Sequence, residues 1–381
     1  MNFKTFYGLL VLCLFSSLIN INKAFSQENN LKSEKINWSG DFRYRFQSVL
    51  EDSKRQRTIQ RLQGKLTLEA NPNDESKVFL QFLTGTGSTS GNQSIGDSDS
   101  PGMPRRSFGL NLLYFESQLP FNAKLIGGKM PIPFYFVGKH QIILDKDISP
   151  EGLAIKTDFL ISENGKFKIN LGHFQIKERY DNLFNVDLTD VQLNGLQTQF
   201  EIKLERYILN LNYGIYSFIS LRDESPAVTG NAGKTNTDSH YNTTDLNGNY
   251  PTNFDIRDQG IELKVNLGEG IGNIHFAIGQ SNNLDVSTLN KAAIQTISYQ
   301  NGFWTLSFQN VKIEKDAVVG AFMDSDFNNG NTSTSGSILS VNFKINPESQ
   351  FVLSNYDCKG QIESSLKRKY ERTHFDYIVS F

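Results

Sequence analysis

Arg372-Thr373-His374-Phe375-Asp376-Tyr377-Ile378-Val379-Ser380-Phe381 ends the chain in a two-residue alternation. Thr373, Phe375, Tyr377, Val379 and Phe381 share one parity, and Arg372, His374, Asp376, Ile378 and Ser380 share the other. A strand turns successive side chains to opposite faces. This stretch therefore reads as a strand with one mostly apolar and one mixed polar face. Alone, it would also suit a half-buried sheet in a water-soluble protein. Running to the last residue with no tail, it has the form of the final strand of a barrel that meets lipid outside and water inside.

The same pattern opens the chain. In 36–49 the even positions are Trp38, Gly40, Phe42, Tyr44 and Phe46, and the odd ones Ser39, Asp41, Arg43, Arg45 and Gln47. In 57–70, Leu62, Gly64, Leu66, Leu68 and Ala70 alternate with Arg61, Gln63, Lys65, Thr67 and Glu69. Further strands are expected near 76–84, 107–118, 123–130, 152–160, 166–176, 191–203, 206–219, 256–267, 272–281, 292–299, 303–313, 336–345, 351–359 and 369–381, about 16 in all. An even number returns the chain end to the side on which it began. Short turns such as Asn71-Pro72-Asn73-Asp74, Glu163-Asn164-Gly165 and Gln300-Asn301-Gly302 alternate with long connectors at 85–106, 131–151, 177–190, 220–255, 282–291 and 314–335. That asymmetry is the one between periplasmic turns and extracellular loops. The expected fold is all-β, a transmembrane antiparallel β-barrel over 36–381 with periplasmic termini.

The first residues read differently. Lys4 precedes an apolar run over 6–18, and Ala24-Phe25-Ser26 is a small-x-small site. This is a secretory signal peptide over 1–26, too short in its apolar part to span a bilayer. Residues 27–35 then form a short periplasmic N-terminal segment. Beyond it no apolar run is long enough for a transmembrane helix. Only Cys358 remains after the leader, so neither an internal disulfide nor a cysteine metal cluster can form. A formal charge of −2 argues against a nucleic-acid partner. The 12% of aromatic residues suits interfacial girdles.

Several short motifs add a resemblance. Gly40-Asp41-Phe42-Arg43-Tyr44-Arg45-Phe46, the arginines at 55, 57 and 61, Leu83-Thr84-Gly85, Gly127-Gly128-Lys129-Met130-Pro131-Ile132-Pro133-Phe134 and the Asp147 to Ala154 segment resemble the putative-porin family of Gram-negative envelopes. The resemblance implies a single large barrel in the cell outer membrane that passes small solutes and assembles as a homotrimer. It also implies that Tyr377, Val379 and Phe381 form a C-terminal signal for the barrel-assembly machinery. The motifs are short and shared among porins, so no particular solute follows from them.

Two constellations are candidate sites. Centring the first hairpin near residue 52 pairs positions whose numbers sum to about 104, setting Arg43 against Arg61 and Gln47 against Arg57. Arg43, Arg45, Arg57, Arg61 and Lys65 then form a pore-lining basic wall, which raises the local anion concentration. The alternative is a polar wall in which each cation pairs with an acid on the next strand or an infolded loop. The loop over 131–151 carries Asp145, Asp147 and Glu151; folded inward, it would oppose the basic wall across a constriction. Left outside, it is an extracellular cap.

Other motifs fail on chemistry. The glycine–serine stretch over 85–91 lacks the lysine and helix of a phosphate loop. Asp324-x-Asp326-x-Asn328 begins like a calcium loop, but Asn329 and Ser335 hold the positions that need glycine and glutamate. No histidine has a serine two residues on, as the paired wall residues of a barrel lipase would require. The function expected is an outer-membrane porin for passive transport of small hydrophilic solutes, anion-preferring if the basic wall is free, with no enzymatic activity and no cofactor. Its partners are outer-membrane lipids, the assembly machinery and the solutes. A substrate-specific channel, and a structural or adhesion barrel displaying loops 220–255 and 314–335, remain open alternatives.

Overall fold

The computed structural model describes residues 36–381 apart from 53, 86–89, 97–101, 103–104, 182–185, 188, 226–240 and 366. The leader expected at 1–26 and the segment 27–35 lie outside the described residues.

Leaving aside two-residue pairings, the chain forms sixteen strands. They are β1 (Ile36–Glu51), β2 (Arg57–Asn73), β3 (Ser76–Thr84), β4 (Phe108–Leu119), β5 (Ala123–Lys129), β6 (Glu151–Ser162), β7 (Gly165–Lys177) and β8 (Val191–Leu204). The second half contains β9 (Tyr207–Ile219), β10 (Phe254–Asn266), β11 (Asn273–Asn283), β12 (Lys291–Asn301), β13 (Trp304–Ile313), β14 (Thr334–Lys344), β15 (Ser349–Gly360) and β16 (Arg368–Ser380). Each pairs antiparallel with its sequence neighbours, and β1 also pairs with β16 from Asp41↔Ser380 to Glu51↔Tyr370. The sheet therefore closes and has no free edge, the condition for a sheet in hydrocarbon. At the seam Gly40 and Phe381 exchange backbone hydrogen bonds of 3.0 and 3.1 Å. The Phe381 ring lies where a Cβ on Gly40 would stand, so glycine is needed there.

Parity sets the faces as the sequence pattern implies. Phe42, Tyr44 and Phe46 point outward and stay exposed, while Arg45 and Gln47 between them are buried on the inner face. Outward neighbours continue from strand to strand: Leu211↔Ile261↔Ile278 on β9 to β11, Ile297↔Phe308↔Leu339 on β12 to β14, and Leu353↔Phe375↔Phe46 across the seam. Ile278 is 64% exposed and Leu153 49%. A continuous exposed apolar band of this kind is foreign to a water-soluble monomer and is the surface that lipid requires. Among the described residues no helix is long and apolar enough to cross a membrane.

The expected strands all form, with ends moved by a few residues. One difference matters for function. The buried apolar cluster lies inside the barrel, towards the long-loop end, where loop residues pack onto inward-facing strand residues such as Phe174, Tyr216, Ile294 and Tyr356. Met130, Val137, Leu221, Tyr250, Ala317, Val318 and Val319 are fully buried. A sixteen-stranded wall encloses more space than its own side chains fill, and connectors occupy the excess.

Candidate lumen constriction and basic wall

The loop between β5 and β6 enters the barrel and crosses to the far wall. Pro131 and Pro133 hold its start extended. Phe134 then packs edge-on against Phe174 of β7 and Tyr216 of β9, with ring centroids 6.1 and 5.0 Å apart. The Tyr135 backbone is held like a strand by one side chain: its N–H donates to Gln197 Oε1 at 2.8 Å, and its carbonyl accepts from Gln197 Nε2 at 2.5 Å.

The loop tip sits in a socket on β10 to β13. Val137 fills the space above Gly260 and Gly279; a Cβ on Gly260 would stand 2.4 Å from Val137 Cγ2. Gly138 has φ +63 and no room for a side chain, its Cβ position being 2.6 Å from Thr296 Oγ1. The Gly138 N–H donates to Glu262 Oε2 at 3.0 Å, and its carbonyl accepts from Gln309 Nε2 at 2.9 Å. Glu262, 1% exposed, also accepts from the Tyr135 hydroxyl and meets Lys264 Nζ at 2.9 Å and His275 Nε2 at 3.3 Å. Burial and the Glu262 bond push the Tyr135 hydroxyl far above its ordinary pKa, which keeps it a donor. Next along, His140 Nε2 stands 3.6 Å from the fully buried Asp258, which accepts from Ser281 Oγ at 2.8 Å.

A second loop, between β13 and β14, also turns inward and latches onto the first. The Asp145 N–H donates to the Phe322 carbonyl at 2.7 Å, and the Asp324 N–H to the Gln141 carbonyl at 3.0 Å. Asp145 itself accepts from the Asp147 N–H at 2.9 Å and the Ser325 N–H at 3.2 Å. From the connector before β10, Asn242 donates to the Val318 carbonyl at 2.9 Å and accepts from the Gly320 N–H at 2.8 Å. Burial, and next to it the Asp147 carboxylate, pushes Asp145 up to about 6. Burial and Asp326 push Asp324 up to about 7. Asp326 is held well below the carboxylate range: burial works against its charge, but His374, Arg372 and Arg45 outweigh it. Beside the latch a cavity of about 240 Å³ remains, lined among others by Gln309, Ser340, Ser354, Tyr356, Lys139 and Asp324.

The basic wall lies on β1, β2 and β16. Arg45 is gripped by Asp376, Nε to Oδ1 at 2.7 Å and Nη2 to Oδ2 at 2.8 Å, and Asp326 of the second loop lies 3.5 Å from Nη1. Arg372 reaches Asp326 at 2.7 Å, the Ser325 carbonyl at 3.0 Å and Asn329 Oδ1 at 2.9 Å. Lys65 pairs with Asp41. Among the described residues Arg43 bonds only the neutral Asn92 Oδ1, at 2.6 Å. Arg61, half-buried, has no hydrogen bond or ion pair among the described residues, and the Nε atoms of both Arg43 and Arg61 are buried without a partner there. Arg57 is exposed at the first residue of β2. Side-chain bonds Tyr44–Gln60 and Gln56–Ser48 join positions whose numbers sum to 104, the spacing expected for this hairpin.

The candidate loop acids thus separate. Asp145 is consumed by backbone N–H groups in the latch, and Asp147 is half-buried beside it. Glu151 does not reach the lumen: as the first residue of β6 it has outward parity, is exposed and pairs with Lys129 at 2.6 Å. The sequence reading overlooked Glu262, Asp258, Asp326, Arg372 and Asp376. Arg372 and Asp376 were within reach, since they share the inner parity of β16 beside β1. Asp326 was weighed only as part of a calcium loop, and among the described residues no cluster fit for a metal ion forms. In the long connector before β4, Thr84 Oγ1 donates to the Gly91 carbonyl at 2.7 Å and Gln93–Ser94 pairs with Arg61–Leu62.

A closed antiparallel barrel with an apolar outer band and a lumen narrowed by inward loops has the architecture of an outer-membrane channel. The model of the putative-porin family matches residues 18–269, and the chain belongs to that family. Among solved structures it is similar to Pseudomonas putida OprB, with a TM-score of 0.59 at 9% identity over 92% of this chain and 95% of that one. It is also similar to a mutant Rhodopseudomonas blastica porin, with a TM-score of 0.51 at 12% identity over 91% and 100%. At such identities the likeness is one of fold. No curated relative matches the chain. The protein is an outer-membrane porin channel of a Gram-negative envelope.

Proposed function

We propose that the channel carries small hydrophilic solutes by passive diffusion and prefers anions. The observation behind the preference is the uneven pairing of the wall. Arg45, Arg372 and Lys65 have acids, while Arg43, Arg57 and Arg61 have none among the described residues. Net positive charge along a narrow, water-filled wall concentrates anions. The acids at 145 and 147 lie in the latch beside this wall, where Asp145 is taken up by backbone N–H groups, one of them from Ser325, next to the Asp326 that meets Arg45 and Arg372. They leave Arg43, Arg57 and Arg61 without a paired acid among the described residues. In this reading the long loops face outside and both termini the periplasm. The leader 1–26 is removed on export, and Tyr377, Val379 and Phe381 serve the assembly machinery. The barrel works as a homotrimer. Display of loop 314–335 to a partner outside is disfavoured, because Ala317, Val318 and Val319 are fully buried.

Planar-bilayer recording of the refolded protein under a KCl gradient tests the reading. A steady current with a reversal potential of anionic sign is expected. A cationic sign removes the anion preference, and absence of current from folded barrel removes the channel. Chemical crosslinking that stops at dimer or monomer removes the trimer.

A further inference from the structure

Most buried cations in this lumen are satisfied. Arg45 has a two-pronged carboxylate, and Arg372 has a carboxylate, a carbonyl and an amide oxygen. Two are not. Among the described residues Arg43 has a single neutral acceptor and Arg61 has none. The Nε atoms of both are buried without a partner, as is that of Arg372, but Arg372 has its other nitrogens bound to a carboxylate and two further oxygens. They are neighbours in space, because Arg43 holds Asn92, and Ser94, two residues on, pairs with Arg61. Burying a guanidinium without an anion is unfavourable. Like charges add to the cost, Arg45 beside Arg43, and Arg372, Arg45 and Arg57 around Arg61. A fold that keeps such a pair on the wall of its water path leaves it to be neutralised from the water.

We infer that Arg43 and Arg61 form a binding subsite for an oxyanion carried by a passing solute, a carboxylate or a phosphate group. The planar guanidinium offers paired N–H donors that match two oxygens of one such group. Chloride is spherical and can use only the charge. Asn92 fixes Arg43 by one nitrogen, 2.6 Å away, and orients the fork. Arg45 and Arg372, neutralised in place, line the same wall without competing for the guest. The inference rests on the channel reading and narrows it: anions are not merely enriched but bound at one place, and the bound group is planar or tetrahedral oxygen.

The test uses full-length refolded protein with succinate and inorganic phosphate as probes at constant ionic strength. Chloride current through the wild type should fall saturably as either probe is added. In Arg61→Gln and Arg43→Gln the apparent affinity should drop about tenfold, one lost charge-assisted pair. Arg61→Lys should keep the anionic reversal potential but not the affinity, since the point charge survives and the fork does not. A response to phosphate alone or to succinate alone assigns the group. A linear response, or one equal in wild type and variants, overturns the subsite while leaving the channel intact. Calorimetry with the same probes on detergent-folded barrel reads binding whether or not current flows. Heat absorbed or released equally by wild type and both glutamine variants would overturn the inference there too.

Discussion

The two sides of the lumen treat buried charge in opposite ways. On β10 and β11 one carboxylate, Glu262, gathers a hydroxyl, a backbone N–H, a lysine and a histidine. On β1, β2 and β16 several cations share few acids, and Arg43, Arg57 and Arg61 have none among the described residues. Saturation fixes geometry, since every removed donor leaves a buried charge short. Incomplete pairing leaves attraction available to a solute. One wall holds the constriction in place and the other faces what passes. The second loop joins the two functions through adjacent residues: Ser325 donates to Asp145 of the first loop, and Asp326 meets Arg45 and Arg372.

The sharpest break of this comparison is Asp376→Ala. It strips Arg45 of its two-pronged partner at a site where both side chains are buried. Removing one partner of such a pair destabilises by about 3–5 kcal/mol. The urea midpoint of the folded barrel, followed by its heat-dependent gel mobility, should fall accordingly. Arg45→Met combined with Asp376→Leu should recover most of the loss, because the orphaned charge goes too. Equal losses in the single and double variants would mean that the pair is not what holds this wall.

The saturated wall should respond in pore size rather than in stability. Gly260→Leu places a side chain where Val137 sits. Overpacking of about 1–3 kcal/mol is relieved by lifting the loop tip, so single-channel conductance should rise. Glu262→Gln should act the same way but more weakly. The amide still accepts from Tyr135 and Gly138 but loses the charge that draws in Lys264 and His275, a loss of about 1–3 kcal/mol. Conductance unchanged in both variants would show that the tip does not set the pore.

How legible was this in the sequence? The wall was, because its physics is local. A period of two separates Phe42, Tyr44 and Phe46 from Arg43 and Arg45 with no knowledge of any neighbour. The hairpin spacing that joins Tyr44 to Gln60 followed from one turn. The constriction was legible only as a loop of the right place and charge. Its seat depends on pairs such as Val137 with Gly260, or Tyr135 with Glu262, brought together by closure of the barrel and by no periodicity. Glu151 shows the same limit from the other side: parity, the rule that reads the wall, was not applied at the loop's last residue, and it turns that acid outward to Lys129. Residues 314–335 looked like a surface loop because their burial comes from another loop.

The last prediction concerns that shared latch and is the smallest effect. Asp145 and Asp324 have folded-state pKa values raised, by burial first, to about 6 and about 7. A carboxyl raised in the fold above its unfolded value stabilises the protein fully below the unfolded value, and this contribution is lost as pH rises through the folded one. The latch is therefore tighter at pH 5 than at pH 8. The charge balance moves with it. As pH falls from 8 to 5 both acids become neutral while the arginines keep their charge, so the reversal potential should drift towards the anionic limit and open-channel noise should quieten. Asp145→Asn with Asp324→Asn should remove the drift between pH 8 and 5 without touching the response of Arg61→Gln. A drift that persists in the double variant would overturn the latch as its origin, and the two sides of the lumen would no longer divide holding from selecting.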